Sequence, residues 1–328
     1  MKKYTLFTSL LLFLFLSGCM VETAKKETSQ TLTIYSDCLS KKDVKLFSKF
    51  QKEEKITVNI QNFDTDSLLT KIEREGYNCK ADLVILNSMY SIQKIFYKGL
   101  LQPWTSETIE KNIPEYLRSK TNHWIGIGVN PYTLASNDTI LISDDIKKVV
   151  TQPNTVLFSD IYKPKDLIPI ISHFFNNRNE EEKIQELLNK IEFRTDRNLP
   201  KDSIHKNIFI STLSDIMKDT ILTNKTLINL DGGIYYNMYC TGIIKQSPNF
   251  YNAKLFIEYI SRSENNDYLN NHWKTLPIEI KDKNHRYSYQ NMPRYINSNK
   301  HKHLYTTYSI IERNIISKKL NTVKKSSF

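Results

Sequence analysis

The sequence predicts an α/β protein with a mainly parallel sheet flanked by helices, and three observations predict it. Short β-prone runs alternate with helical stretches from Leu32 onward, the apolar residues of those stretches recur at helical spacing, and the run ADLVIL (Ala81 to Leu86) is almost wholly apolar. Strands joined by helices are parallel, because a parallel neighbour needs a crossover long enough to hold a helix.

The elements follow in order. LTIYS (Leu32 to Ser36) reads as a strand, and Val44, Phe47 and Phe50 then share one face of a helix. ITVNIQNF (Ile56 to Phe63) is the next strand and leads into DSLLTKIEREG, with Asp66 as the expected N-cap and Gly76 as the stop. After Ala81 to Leu86 a further helix runs to Gly99. In the second half, Ile184, Leu187, Leu188 and Ile191 fall at i, i+3, i+4 and i+7 of EEEKIQELLNKIEF, which predicts an amphipathic helix. KNIFIST (Lys206 to Thr212), TLINL (Thr226 to Leu230) and YYNMYCTGII read as strands, and Ala253, Phe256, Ile257 and Ile260 restore the helical period. After about Lys281 the pattern weakens, and only YTTYSIIERNIISKKL suggests a helix.

The first residues carry a different signal. Lys2 and Lys3 precede an apolar run, Leu10 to Leu16, that ends in Leu16-Ser17-Gly18-Cys19. Basic, apolar and small residues in that order make a secretory signal too short to span a bilayer comfortably. The ending resembles a bacterial lipobox, which implies a signal peptide over 1–18, lipid (palmitate among the acyl groups) on Cys19, and a polar tether over 19–30. Processing there lowers the formal charge from +11 to +9 by removing Lys2 and Lys3. Export and the scatter of the lysines argue against nucleic acid as the partner. Cys38, Cys79 and Cys240 are the other three of the four cysteines. An odd, sparse set is no disulfide framework. There is no P-loop, Gly-x-Ser-x-Gly elbow or Cys-x-x-Cys, so nothing argues for an enzyme.

Several of these segments recur together in a known family. LTIYS, FSKFQKEEKITVNI, LLTKIEREGYNCKADLVIL, GLLQPW, HWIGIGV and DGGIYYNMYCTGIIKQSPNFYNAKLFIEYI stand here in the order seen in solute-binding proteins of ABC importers. The chain resembles the ferric-ion-binding type of that family over about Leu32 to Asn137 and Leu227 to Pro277. The resemblance implies a two-lobed Venus-flytrap fold that closes on a solute, with lobe 1 over 31–130, lobe 2 over 131–245, and 246–328 returning to lobe 1 before a basic tail. It also implies an ABC permease and ATPase as partners, a monomer, and a place on a bacterial membrane, at its periplasmic side or on the cell surface.

The same resemblance locates the cleft. Solutes in parallel α/β sheets lie beyond the carboxyl ends of the strands. The expected lining is therefore Ser36, Asp37, Asn87, Ser88, Asn130 and Tyr132. The family's N-terminal His and Tyr positions fall on Leu39 and Ser40, its acidic position on Asn87, and its anion-holding Arg pair on Asn130 and Tyr132. Each replacement removes a ligand or a charge, so no resident cofactor is expected and ferric ion, which resemblance alone would suggest, is disfavoured. The tyrosines of LDGGIYYNMYCTG could form a relocated phenolate claw at Tyr235, Tyr236 and Tyr239. Register with Asp231, Gly233 and Asn237 favours a plain strand instead. His301 and His303 read as a solvated pair in a Lys-rich tail. Cys38 stands on a cleft loop without an identifiable His partner. Two functions stay open: a lipid-anchored receptor that delivers an iron-related solute, and a clamshell lipoprotein with a structural role and no transported ligand.

Overall fold

The computed structural model describes residues 30–136, 155–160, 189, 191–194, 206–212, 214, 226–228 and 236–278. Cys19, Ile184, Leu187, Leu188, Tyr235, His301 and His303 lie outside them, as does the terminal stretch from Lys281.

Among the described residues nine strands form one hydrogen-bonded sheet in two sections, eight of them along a single path and β8 branching from β4. The first section holds β1 (Thr31–Ser36), β2 (Thr57–Asn62), β3 (Leu83–Leu86), β9 (Tyr236–Ile243) and the first part of β4 (Trp124–Ser136), in the order β2-β1-β3-β9-β4. Strands β1, β2 and β3 run parallel, and β9 runs against both β3 and β4. The second section takes over where β4 changes partner, from Pro131 opposite Tyr236 to Tyr132 opposite Thr212. It holds β7 (Lys206–Thr212), β5 (Thr155–Asp160), β6 (Ile191–Arg194) and β8 (Thr226–Ile228).

Local chemistry explains the first section. Helix α1 (Ser48–Glu54), preceded by a 3-10 turn over Lys41–Phe47, ends at Lys55 in the left-handed conformation. Helix α2 (Thr65–Glu75) is capped by Asp64, whose carboxylate accepts from Ser67 N at 3.0 Å, and not by Asp66, which lies in the first turn. Gly76 at φ 54° stops it, and Gly99 at φ 68° follows α3 (Met89–Tyr97), as the glycine-stop reading expects. A short helix α4 (Glu107–Asn112) precedes β4. Strand β3 is buried at all four positions, so both of its faces are covered. Helix α5 (Phe250–Ile260) buries Ala253, Phe256, Ile257 and Ile260, and Phe256 meets Phe47 and Phe50 edge-on at 4.9 and 5.2 Å. Helix α6 (Ser263–Trp273) packs against β4 and stacks Trp273 on Tyr239, 4.6 Å between centroids.

A bulge in β4 fixes α6. Gly126 pairs with Cys240 and Gly128 with Tyr239, so Ile127 is the extra residue. Its carbonyl accepts instead from the side-chain amides of Asn266 and Asn270, at 2.8 and 2.9 Å.

Two expectations change here. Ile191, read as the end of a helix, opens β6 beside Leu157, where strand pairing outweighs the helical period. Tyr236 to Ile243, assigned to the second lobe by sequence order, pair with β3 and β4 in the first section, because β9 is the returning strand.

Candidate functional site

All three parallel strands of the first section end at the same edge, and the polar side chains met there form two hydrogen-bonded groups that adjoin where Asn237 and Asn130 are strand partners. Ser36 closes β1 and is fully buried. Its hydroxyl donates to the Ile85 carbonyl (2.7 Å) and accepts from Cys38 N and Leu39 N, at 3.1 and 3.0 Å. Those three bonds turn the chain after β1 and tie it to β3.

Asp37 follows in that turn, partly buried. Its carboxylate accepts from Asn87 N at 2.8 Å and from the Thr65 hydroxyl at 2.9 Å, joining the loop after β3 to the start of α2. Burial raises its pKa to about 6, against the lowering effect of the Asn87 and Thr65 hydrogen bonds. Because the folded-state value lies above the ordinary 3.8, the proton is held more tightly in the folded protein. The stability this supplies is full below pH 4 and lost as pH rises through 6. Relative to the wild type, Asp37→Asn is expected to gain on the order of 2–3 kcal/mol between pH 4 and pH 7.5, since a unit of pKa is worth about 1.4 kcal/mol. Urea melts of both proteins across that range check it, and a gain toward low pH would refute it.

The cluster continues into β9 and β4. The Asn87 carbonyl accepts from the side-chain amide of Asn237, whose own oxygen accepts from Met89 N (3.2 Å) and Met238 N (2.9 Å). Ser88 precedes α3, and its hydroxyl makes no capping bond to the helix. Asn237 is the register partner of Asn130 on β4. Buried Asn130 donates to the Ser214 hydroxyl (2.9 Å) and accepts from Ser214 N (3.1 Å), beyond the end of β7. Thr212 lies 3.3 Å from the same hydroxyl. Tyr132 follows two residues on, opposite Thr212.

Five of the expected residues, Ser36, Asp37, Asn87, Ser88 and Asn130, thus stand at one edge, and Tyr132 stands on the strand that carries it into the second section. Thr65, Asn237, Thr212 and Ser214 were not foreseen as members. An asparagine inside the apolar strand YYNMYC was the one available signal, since buried amides must find partners. Leu39 is packed in the core, and Ser40 bonds the Asp43 carboxylate through N and Oγ, at 2.7 and 2.8 Å. Both positions serve packing and capping. Cys38 is partly buried, and burial with Asp37 beside it holds the thiol well above its ordinary range, so it stays protonated.

Tyr236 and Tyr239 are buried in β9, which is the strand that register favoured. Among the described residues no three His, Cys, Asp or Glu side chains converge as a metal site. Among the described residues the cluster brings one carboxylate together with amides and hydroxyls.

No protein-family model matches the chain. A segment of 97 residues, 30% of the chain, is 36% identical to iron uptake protein A1 of Synechocystis sp. and spans 27% of that protein. Two solved structures cover far more. Trichodesmium FutA (IdiA), in complex with iron and citrate, superposes with a TM-score of 0.66 at 17% identity, over 87% of this chain and 99% of that one. Iron-bound HitA of Pseudomonas aeruginosa gives 0.69 at 14% identity, with the same coverage. The fold is that of the ferric-ion-binding proteins.

In this two-lobed fold the change of partner along β4, at Pro131 and Tyr132, is where the strand leaves one sheet for the other. Both of these solved structures are, by their names, of iron-bound proteins.

Proposed function

We propose that the chain is a lipid-anchored solute receptor of an ABC importer for an iron-related solute, and that it does not hold bare ferric ion by a Tyr/His set. The lobes of this reading are 31–130 joined by 236–278, and the intervening second section. The observation that carries it is the cluster from Thr65 through Asp37, Asn87, Asn237 and Asn130 to Ser214, which runs along the carboxyl edge of one sheet into the next. Similarity to an iron uptake protein and to iron-bound neighbours supports the class of solute. A permease, an ATPase and Cys19 acylation belong to the same proposal.

A second reading, a clamshell with no transported ligand, is favoured by one specific observation. Ser36, Asp37 and Asn130 already spend their hydrogen bonds inside the protein. A thermal melt separates the two. Ferric citrate or another iron complex at 100 times its dissociation constant is expected to add about 2.7 kcal/mol, and no shift with any iron complex selects the second reading. In the same titration no visible tyrosinate-to-iron band is expected. A stoichiometric coloured complex abolished by Tyr235→Phe or Tyr236→Phe would restore a phenolate site.

A further inference from the structure

The opposite end of the first sheet section has a different chemistry. Strands β1 to β3 begin there, β9 ends there, and α2 and α3 return to it. Tyr77, between α2 and β3, is 54% exposed, and Lys245, just after β9, sets its ammonium 4.9 Å from the centre of that ring. Lys245 N bonds the Leu100 carbonyl beside the end of α3, and Ile244 N bonds the Asp82 carbonyl at the start of β3. Exposed Lys80, Lys98 and Lys120 stand at the same end, before β3, after α3 and before β4. Of the carboxylates nearby, Glu73 pairs with Lys98 at 3.2 Å, Glu75 with Lys71 at 2.7 Å, and Asp82 is buried, while exposed Glu110 and Glu115 lie on the Lys120 side, Glu110 next to Ser119 and Asn122. Farther out, at the end of α1, Lys52 and Lys55 balance Glu53 and Glu54.

We infer that this end is a membrane-resting surface, fitted to anionic phospholipid headgroups by the lysines around Tyr77. The tether argument depends on the lipid-anchor reading above. Gln30, whose carbonyl accepts from Thr57 N, brings the chain into β1 at this same end. From an acylated Cys19, residues 19–30 reach roughly 40 Å when fully extended and about 20 Å on average as a flexible chain. The anchor therefore holds this end near the bilayer. At such an effective concentration weak contacts suffice. A tyrosine ring suits the interfacial layer, and a lysine near an anionic surface is worth about fivefold in partitioning. The Asp37 edge then faces away from the lipid.

The test uses the processed chain isolated from membranes, reconstituted in vesicles of phosphatidylcholine alone or with one-third phosphatidylglycerol, and footprinted by lysine acetylation. Lys80, Lys120 and Lys245 are expected to react at least about fivefold more slowly on the anionic vesicles, while Lys41 and Lys42, at the Asp37 edge, react equally on both. In a chain with Lys80, Lys120 and Lys245 all changed to Gln and melting unchanged, the protection of Lys98 is expected to vanish. Equal rates on the two vesicle types, or protection of Lys41 instead, overturn the surface. The mass of the N-terminal peptide reports acylation in the same sample. An acyl group without protection sinks the surface and leaves the anchor, protection of unacylated chain mixed with the vesicles supports the surface and sinks the anchor, and neither result sinks both.

Discussion

Gly128→Ala is expected to be the most damaging single methyl group in the described part of the protein. A Cβ built on Gly128 would stand 2.2 Å from the Asn270 side-chain oxygen, with Thr275 Oγ1 at 3.4 Å. Asn270 cannot yield cheaply: its amide donates to the Ile127 carbonyl (2.9 Å), and its oxygen accepts from Thr275 (2.6 Å). Moving it removes one of the two amides that tie α6 to the β4 bulge, leaving Asn266 alone on the Ile127 carbonyl and Thr275 short of its acceptor. Overpacking and two lost buried hydrogen bonds together cost about 4–6 kcal/mol. Melting is expected to fall by more than about 10 °C. Gly126→Ala is the control, since its nearest neighbour at 3.0 Å is the movable sulfur of Met238, and a cost of about 1 kcal/mol is expected. Equal losses in the two variants would show that the bulge and not the Asn270 contact sets the cost.

Asp82→Ala is expected to come second. Asp82 is 2% exposed, and its carboxylate accepts from Thr33 N (2.8 Å), the Ser247 hydroxyl (2.8 Å) and the Asn249 amide (3.2 and 3.3 Å). One side chain thus fastens β1, β3 and the turn into α5. Alanine strands three donors, two of them from buried or partly buried side chains, at about 3–5 kcal/mol. Asp82→Asn retains one acceptor and should lose roughly half as much, as read by denaturant midpoints at constant slope. An Asp82→Ala midpoint within about 1 kcal/mol of wild type would show that water replaces the carboxylate.

The strands legible in the sequence were those whose pattern matched their environment. Leu83 to Leu86 are buried on both faces, and a continuous apolar run is what such a strand requires. Gly76 and Gly99 stop helices with positive φ, which glycine tolerates and other residues seldom do. Helix α6 was not foreseen, because its sequence SENNDYLNNHW is polar. Asn266 and Asn270 are fully buried there, and they are inside because the Ile127 carbonyl needs them. Strand β5 and the full length of β4 were also missed.

Asp37, Asn87 and Asn130 could be placed at strand ends through the family resemblance and the strand order taken together. Their bonding could not. Asn130 is joined to Ser214 across 84 positions of chain, and nothing local in either segment announces the other.

Strand order also sets a timetable for synthesis. The chain is made from its N-terminus, so β1, β2 and β3 exist long before β9, the strand that must lie against β3 from Leu86 opposite Cys240 to Leu83 opposite Ile243. Until then Leu83 to Leu86 form an open apolar edge, the kind of surface that recruits a stray strand from another molecule. Helices α5 and α6 arrive later still. The first sheet section is therefore completed late, and its folding rate is governed by closure of a very long loop. A nascent chain arrested before Tyr236 should be far more prone to aggregate, and more dependent on chaperones, than one arrested after Trp273.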